Sequence, residues 1–234
     1  MYPDILIGAF WAILEAVPTT LLMALIILAS GISLGALFAF VKIKKTKVLS
    51  QFVSVLVAYV RGTPMIVQLF LVNYSLPNLI AWFSNSFLGT DMKPFDVSSL
   101  IVIYFAYILN TSGYQCEVIR GALQSVEHGQ MEAGYSIGMT EWQTMMRIIF
   151  PQALAVAIPS FLSYYMSLIK LLSLAFTLQV IDIMAASKLY SALTDRYTES
   201  YVAAALVYWI IGIGLTFIFN KWEIFSKKKL GVSV

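Results

Sequence analysis

Long apolar stretches joined by short polar connections dominate the chain. A helix needs about 20 apolar residues to cross the hydrocarbon layer of a membrane. Within each stretch the apolar residues would lie on all sides of a helix and not on one face only. This pattern is typical of helices enclosed by lipid or by other helices. Five segments are long enough, at about 17–41, 64–84, 97–123, 152–174 and 199–221. The pattern predicts an all-α integral membrane protein with five transmembrane helices, and residues 1–234 form a single domain.

The composition agrees with a membrane location and argues against other classes of protein. Hydrophobic residues make up 60% of the chain and charged residues only 12%, whereas soluble domains carry about 25% charged residues. The pI of about 8.9 does not indicate a nucleic-acid partner, because the basic residues lie at the ends of the apolar segments. Cys116 is the only cysteine, so it cannot form a disulfide within the chain.

Lysine and arginine are unevenly divided between the connections, and this division predicts the orientation of the chain. Cytoplasmic connections of membrane proteins are enriched in these residues. If five helices cross in alternation, one side receives Lys93, Lys188 and Arg196. The other side receives most of the basic residues, namely Lys42, Lys44, Lys45, Lys47, Arg61, Arg120, Arg147, Lys221, Lys227, Lys228 and Lys229. We therefore expect the N-terminus outside, and the C-terminus and the loop of about 124–151 in the cytoplasm.

The 124–151 loop combines helix signals with glycines and one apolar face. Gly138 is expected to divide it into two short helices, and Thr140 with Gln143 forms a capping box for the second one. Glu132 lies near the start of the first helix, where the helix dipole favours an acid. A short helix with an apolar face and one acid is suited to a groove on a partner protein. An ordinary cytoplasmic hairpin is the alternative.

The loop resembles the "EAA" loop of ABC import permeases, written E-A-A-x3-G-x9-I-x-L-P. Here Gly134 replaces the second alanine and Phe150 replaces the leucine, while the spacing is complete. This resemblance assigns contact with an ATPase subunit to Glu132, Ala133, Gly134, Gly138, Met139 and Pro151.

Further stretches are similar to permeases for polar amino acids, among them Arg61-Gly62-Thr63-Pro64 and Leu168-Ile169-Lys170. The resemblance implies a type I ABC importer permease fold in the bacterial inner membrane. It also implies two ATPase subunits, a second permease copy or a paralogue, and an extracytoplasmic binding protein. The chain has no phosphate-binding G-x4-G-K-[ST] motif, so ATP and Mg²⁺ are expected on the ATPase partners. No catalytic residue, metal site or cofactor is expected in this chain.

Polar residues inside membrane helices are costly and are therefore candidates for function. Lys170 is the clearest, because a cation near the path would attract a carboxylate. Its alternatives are an ion pair with Glu117 or extension to the outer interface. Hydrogen bonding between helices is an equal alternative for Gln68 and Asn110. The full set predicted to bind substrate is Gln68, Asn110, Tyr164, Ser167, Lys170 and Ser173.

The expected substrate is an amino acid without a cationic side chain. Relatives that carry cationic amino acids often have acids at the positions of Leu171 and Tyr164, so their absence argues against such substrates. Local similarity around residues 173–188 favours cystine or a related neutral amino acid. Two alternatives remain, an ion-coupled secondary transporter and a membrane scaffold. The first would need intramembrane acids and usually has internal repeats, and neither is evident in the sequence.

Overall fold

The computed structural model describes residues 2–44, 47–127 and 129–230, and within these ranges it contains helices and no strand. Lys45, one of the basic residues counted above, lies outside them. The α-helices are α1 Pro3–Leu14, α2 Val17–Ile43, α3 Lys47–Gly62, α4 Met65–Leu88, α5 Ser99–Gln124, α6 Gly129–Ser136, α7 Glu141–Thr144, α8 Phe150–Leu171, α9 Ile183–Thr194 and α10 Tyr197–Leu230. Short segments of other helix types occur at Pro94–Asp96, Met145–Ile149 and Leu172–Leu178.

All five predicted membrane segments are helical. Among the described residues, four helical stretches are long and apolar enough to cross a membrane: Pro3–Ile43, Met65–Leu88, Glu141–Leu178 and Tyr197–Trp222. The remaining segment, 97–123, forms α5, which is less apolar because it carries a run of polar residues in its middle. Asn110, Thr111, Ser112 and Gln115 are all buried there. Since other helices enclose α5, its polar residues do not have to face lipid.

Small residues allow α2 and α5 to pack closely. Gly31, Gly35 and Ala39 lie on one face of α2 at intervals of four residues, the arrangement typical of close helix pairs in membranes. A Cβ atom added to Gly35 would lie 2.9 Å from the backbone nitrogen of Cys116, and one added to Gly31 would overlap Thr111. A larger residue at either glycine would force the two helices apart.

Two hydrophobic clusters join most of the remaining helices, and a third packs α3 against α2 and α5. The larger one joins α2, α4, α5 and α8, and the smaller one joins α1, α9 and α10. In the larger cluster the hydroxyl of Tyr107 donates to the carbonyl of Leu171 at 2.8 Å. In the smaller cluster Asp182 caps the N-terminus of α9 by accepting from two backbone N–H groups. Burial raises the pKa of the Asp182 carboxyl above its usual range.

A helical stretch without a break runs from Glu141 to Leu178. Within it, Pro151 has no N–H to donate, and its ring would crowd the carbonyl of residue 147 in a regular α-helix. The backbone widens into a π-helical turn at Met145–Ile149 immediately before the proline, which gives the ring space. The end of the 124–151 loop is therefore joined directly to a membrane helix.

Candidate functional site

The first half of the 124–151 loop ends in a tight turn that requires glycine. Gly138 has a φ of 81°, in the left-handed region that residues with side chains rarely adopt. The N–H of Met139 donates to the carbonyl of Gly134 and the N–H of Gly138 to that of Tyr135, both at 3.0 Å. These two bonds form a Schellman motif, which ends α6 after Ser136. The predicted division of the loop at Gly138 is thus present.

The second half of the loop packs directly on Gly134. A Cβ atom at this position would lie 2.5 Å from the side chain of Thr144, so any residue larger than glycine would displace α7. The predicted capping box is also present, because the hydroxyl of Thr140 accepts from the N–H of Gln143 and the Gln143 side chain accepts in return. The EAA pattern has alanine at this position. The close contact with Thr144 explains why this chain has glycine there.

The outer surface of the loop is apolar with acids among the apolar side chains. Tyr135, Ile137 and Trp142 are 49%, 74% and 68% exposed. Glu132 and Glu141 are exposed near the first turns of α6 and α7. Large apolar side chains exposed on a packed two-helix unit are typical of a protein contact surface. Ala133 is exposed beside them, whereas Met139 and Pro151 are half-buried.

Three of the residues predicted to bind substrate lie together in a buried cluster. The side-chain amide of Gln68 donates to the carbonyl of Val60 at 2.7 Å, and its oxygen accepts from Asn110 at 3.0 Å. The hydroxyl of Tyr164 lies 3.4 Å from the Asn110 oxygen and 3.5 Å from the Thr111 hydroxyl. These contacts join α4, α5 and α8. We call Gln68, Asn110, Thr111 and Tyr164 the buried cluster.

Other polar residues form an exposed row on α8, at alternating intervals of three and four residues. This α8 stripe consists of Ser160, Ser163, Ser167 and Lys170, all of which are exposed. Ser160, Ser163 and Ser167 border a shallow cavity of about 410 Å³ together with Tyr164. Within the described residues, the hydroxyls of Ser160 and Ser163 have no hydrogen-bond partner. A polar row at this depth is unfavourable against lipid, so it indicates a second protein surface or water.

Lys170 occupies the end of the α8 stripe and borders a groove toward α10 that includes Trp209 and Ile213. The alternative of an ion pair with Glu117 is wrong, because Glu117 accepts from Lys42 and from Arg120, each at 2.6 Å. Leu171 packs half-buried against the larger cluster, and Ser173 is half-buried in the next turn. Ser173 therefore does not extend the stripe.

Two residues of the α8 stripe are absent from the sequence-based prediction. Ser160 and Ser163 precede Ser167 at intervals that place all three on one helix face, and this spacing could have identified them. Thr111 is also absent from it, and only the fold brings Thr111 next to Tyr164. No group of residues suited to bind a metal ion occurs in the described part of the chain.

Comparison with known proteins gives consistent matches along nearly the whole chain. A family model described as binding-protein-dependent transport system inner membrane component matches residues 31–222. The probable amino-acid permease protein YxeN of Bacillus subtilis is 37% identical, over 90% of this chain and 89% of that protein. The L-cystine transport system permease protein TcyB of the same organism is 35% identical, over 89% of this chain and 84% of that protein.

A solved structure shares the fold of this chain. It is the crystal structure of an amino acid ABC transporter with histidines, and one of its chains superposes with a TM-score of 0.77. The superposition covers 95% of this chain and 99% of that one, at 24% sequence identity. The likeness at this identity concerns the fold alone.

Proposed function

The chain belongs to the family of binding-protein-dependent transport system inner membrane components, and from that premise we propose that it forms the membrane path of an ATP-driven amino-acid importer. This assignment favours an importer over the ion-coupled carrier and the scaffold. One observation supports the proposal most strongly. The helical stretch Glu141–Leu178 carries both the end of the 124–151 loop and the α8 stripe, so a displacement of the loop reaches the stripe through a single element.

We propose that the loop contacts one of two separate ATPase subunits. Glu132, Ala133, Gly134, Gly138, Met139 and Pro151 define the shape of this contact. The exposed side chains of Tyr135, Ile137 and Trp142 provide its apolar area, and such aromatic residues often dominate the energy of protein interfaces. ATP and Mg²⁺ belong to the ATPase subunits in this proposal. Closure of those subunits would move the loop, and the bundle would then change between its inward-facing and outward-facing states.

The α8 stripe is the proposed wall of the path. A second permease copy, or a paralogue, facing this stripe would enclose the polar side chains and supply the opposite wall. Ser167 and Lys170 would then face a substrate delivered by an extracytoplasmic binding protein, with Lys170 attracting its carboxylate. Gln68, Asn110 and Tyr164 would act one layer behind this surface, and Ser173 would lie beyond its outer end.

The proposed substrate is a neutral amino acid, with cystine as the first candidate. The relative TcyB is named for L-cystine transport, and Leu171 and Tyr164 offer no carboxylate for a cationic side chain. A related polar amino acid fits the same argument. The proposed location is the bacterial inner membrane, with the N-terminus outside and the C-terminus in the cytoplasm. Ser86→Cys should then react with an impermeant thiol reagent in intact cells, and Gln130→Cys should not.

The contact between Gly134 and Thr144 provides a direct test of the loop's role. Gly134→Ala places a methyl group against Thr144, and overpacking of this kind typically costs about 1–3 kcal/mol. We expect lower stimulation of ATP hydrolysis in the reconstituted complex. Gly134→Ala combined with Thr144→Ala should restore much of it, because the second change removes the two side-chain atoms at 2.5 Å and leaves only the Cβ atom at 3.0 Å.

Gly129→Ala is the matched control, since a Cβ atom at Gly129 in the same loop meets nothing within 4 Å. This variant should stimulate ATP hydrolysis as the natural chain does. Full stimulation by Gly134→Ala, with the ATPase retained during purification, would show that the loop does not transmit the movement.

A further inference from the structure

A second polar cavity lies away from the α8 stripe, where α2 and α5 end beside the 124–151 loop. Its volume is about 560 Å³, and Lys42 of α2, Ser54 of α3 and Arg120 of α5 contribute polar groups to its wall. None of the residues proposed above for the substrate or for the ATPase lines it. Apolar side chains form much of the remaining wall, among them Ile43, Leu123, Val126, Met131, Met145 and Ile149. This combination suits a ligand with a charged head and an apolar body.

The cations of this cavity have more donors than their protein partners use. Glu117 accepts one hydrogen bond from Lys42 and two from Arg120, and Arg120 also donates to Gln124. An ammonium has three N–H donors and a guanidinium has five. Within the described residues, two donors therefore remain on Lys42 and two on Arg120. The hydroxyl of Ser54 also lacks a partner there.

The charges around the cavity favour an anion. Glu117 is shared by the two cations, and Glu127 is exposed in the cavity wall. Lys44 follows directly after Ile43, and its ammonium lies 4.5 Å from the centre of the Phe40 ring. Among the described residues, the three cations Lys42, Lys44 and Arg120 therefore outnumber the two acids, as in basic pockets that bind the headgroups of anionic lipids at the cytoplasmic side of membranes.

Apolar surfaces beside the cavity place it at the level of lipid. Ile43 is 44% exposed and continues the exposed row of Leu37 and Phe40 along α2. On α3, Val48, Phe52 and Val55 form an exposed row that is separate from the buried face of that helix. Rows of this kind are suited to acyl chains at the membrane surface. A soluble ligand would contact only the charged part of the cavity wall and would leave these apolar rows uncovered.

We propose that the cavity binds an anionic phospholipid, with its phosphate on Lys42, Ser54 and Arg120 and its chains along Ile43 and α3. The bound lipid would also touch Met131, Met145 and Ile149 of the 124–151 loop. The fraction of anionic lipid in the membrane would therefore influence how the loop responds to its partner. This consequence rests on the proposed function, whereas the binding site does not.

Native mass spectrometry of the purified chain from bilayers of equal phosphatidylglycerol and phosphatidylcholine tests the site. The natural chain should retain phosphatidylglycerol preferentially. Arg120→Gln removes a charged donor, and Ser54→Leu fills the cavity while leaving every charge in place. Each should lower the preference about tenfold, as expected for the loss of one charge-assisted hydrogen bond or of the space for the headgroup.

Two control variants match these changes elsewhere in the chain. Lys221→Gln removes a cation near the end of the last membrane stretch, and Ser33→Leu enlarges an exposed serine of α2. Both should retain phosphatidylglycerol as the natural chain does. Equal retention of the two lipids by the natural chain would overturn the site, and so would an unchanged preference in Ser54→Leu. Displacement of the lipid by millimolar glycerol phosphate would also overturn it, in favour of a soluble phosphate compound.

Discussion

Two groups of polar side chains within the membrane region, the buried cluster and the α8 stripe, use their hydrogen-bonding atoms differently. In the buried cluster, Gln68 and Asn110 bond to each other and to neighbouring backbone or side chains. In the α8 stripe, Ser160 and Ser163 have no partner within the described residues, and Lys170 is exposed. Both groups consist of polar residues within apolar segments, so residue type alone does not distinguish them.

The difference between the two groups indicates different roles. A buried amide that is fully bonded holds helices in place, and its loss leaves its partners unsatisfied. A row of exposed hydroxyls on a membrane helix has no such structural use and is costly against lipid. The buried cluster therefore fixes the positions of α4, α5 and α8. The α8 stripe is available to a substrate, to water or to a second permease.

The largest effect on stability is expected from Gln68→Leu. The change removes bonds to Val60, Thr63 and Asn110 and leaves buried polar atoms without partners, at a cost of about 1–3 kcal/mol. The thermal unfolding midpoint in detergent should fall accordingly. Gln51→Leu, at an exposed position of α3, should leave the midpoint unchanged. An unchanged midpoint in Gln68→Leu would remove the structural role of the buried cluster.

Lys170→Met should lower uptake about tenfold, because one charge-assisted hydrogen bond to a carboxylate is worth roughly 1.5–3 kcal/mol. The unfolding midpoint should stay the same, since Lys170 has no bonded partner among the described residues. Uptake by reconstituted complex in liposomes is the measurement, and Lys93→Met in the outer loop is the control. Loss of stability without loss of uptake would instead place Lys170 with the structural residues.

A smaller effect is expected from Ser163→Ala. A neutral hydrogen bond contributes about 0.5–1.5 kcal/mol, so uptake should fall about threefold while the unfolding midpoint stays constant. Ser75→Ala is the matched control, because the hydroxyl of Ser75 is exposed and bonds only within its own helix. If both variants transport equally well, the serines of the α8 stripe do not contact the substrate.

Four of the five membrane segments and the division of the loop could be predicted because they depend on local patterns. Runs of apolar residues predict α2, α4, α8 and α10. Gly138 predicts the end of α6, and the Thr140 capping box predicts the start of α7. These signals come from residues close in sequence. The segment 97–123 is helical as α5, but its polar centre leaves it outside the four stretches that are apolar enough to cross a membrane, so its place among the membrane segments stays a prediction.

Other features depend on contacts between distant residues, which the sequence does not display. Gln68 meets Asn110 across 42 positions, and Gly134 requires glycine only because Thr144 returns against it. Lys170 and Glu117 are compatible in charge, yet Lys42 pairs with Glu117 from another helix. The candidates for substrate binding could thus be identified as intramembrane polar residues. Their division into bonded and unbonded groups required the fold.

Thiol labelling in the membrane tests most directly whether the α8 stripe faces water while neighbouring surfaces face lipid. The thiolate is the nucleophile that attacks water-soluble thiol reagents, and it forms only where water reaches the sulfur. In a Cys116→Ala background, cysteine replaces Ser163 of the stripe, Ile210 of α10 or the buried Ala157. Ile210 is 51% exposed and lies outside the groove beside Lys170, and Ala157 is 4% exposed. We predict rapid labelling of Ser163→Cys and little labelling of Ile210→Cys or Ala157→Cys, and equal labelling at positions 163 and 210 would contradict a water-facing α8 stripe.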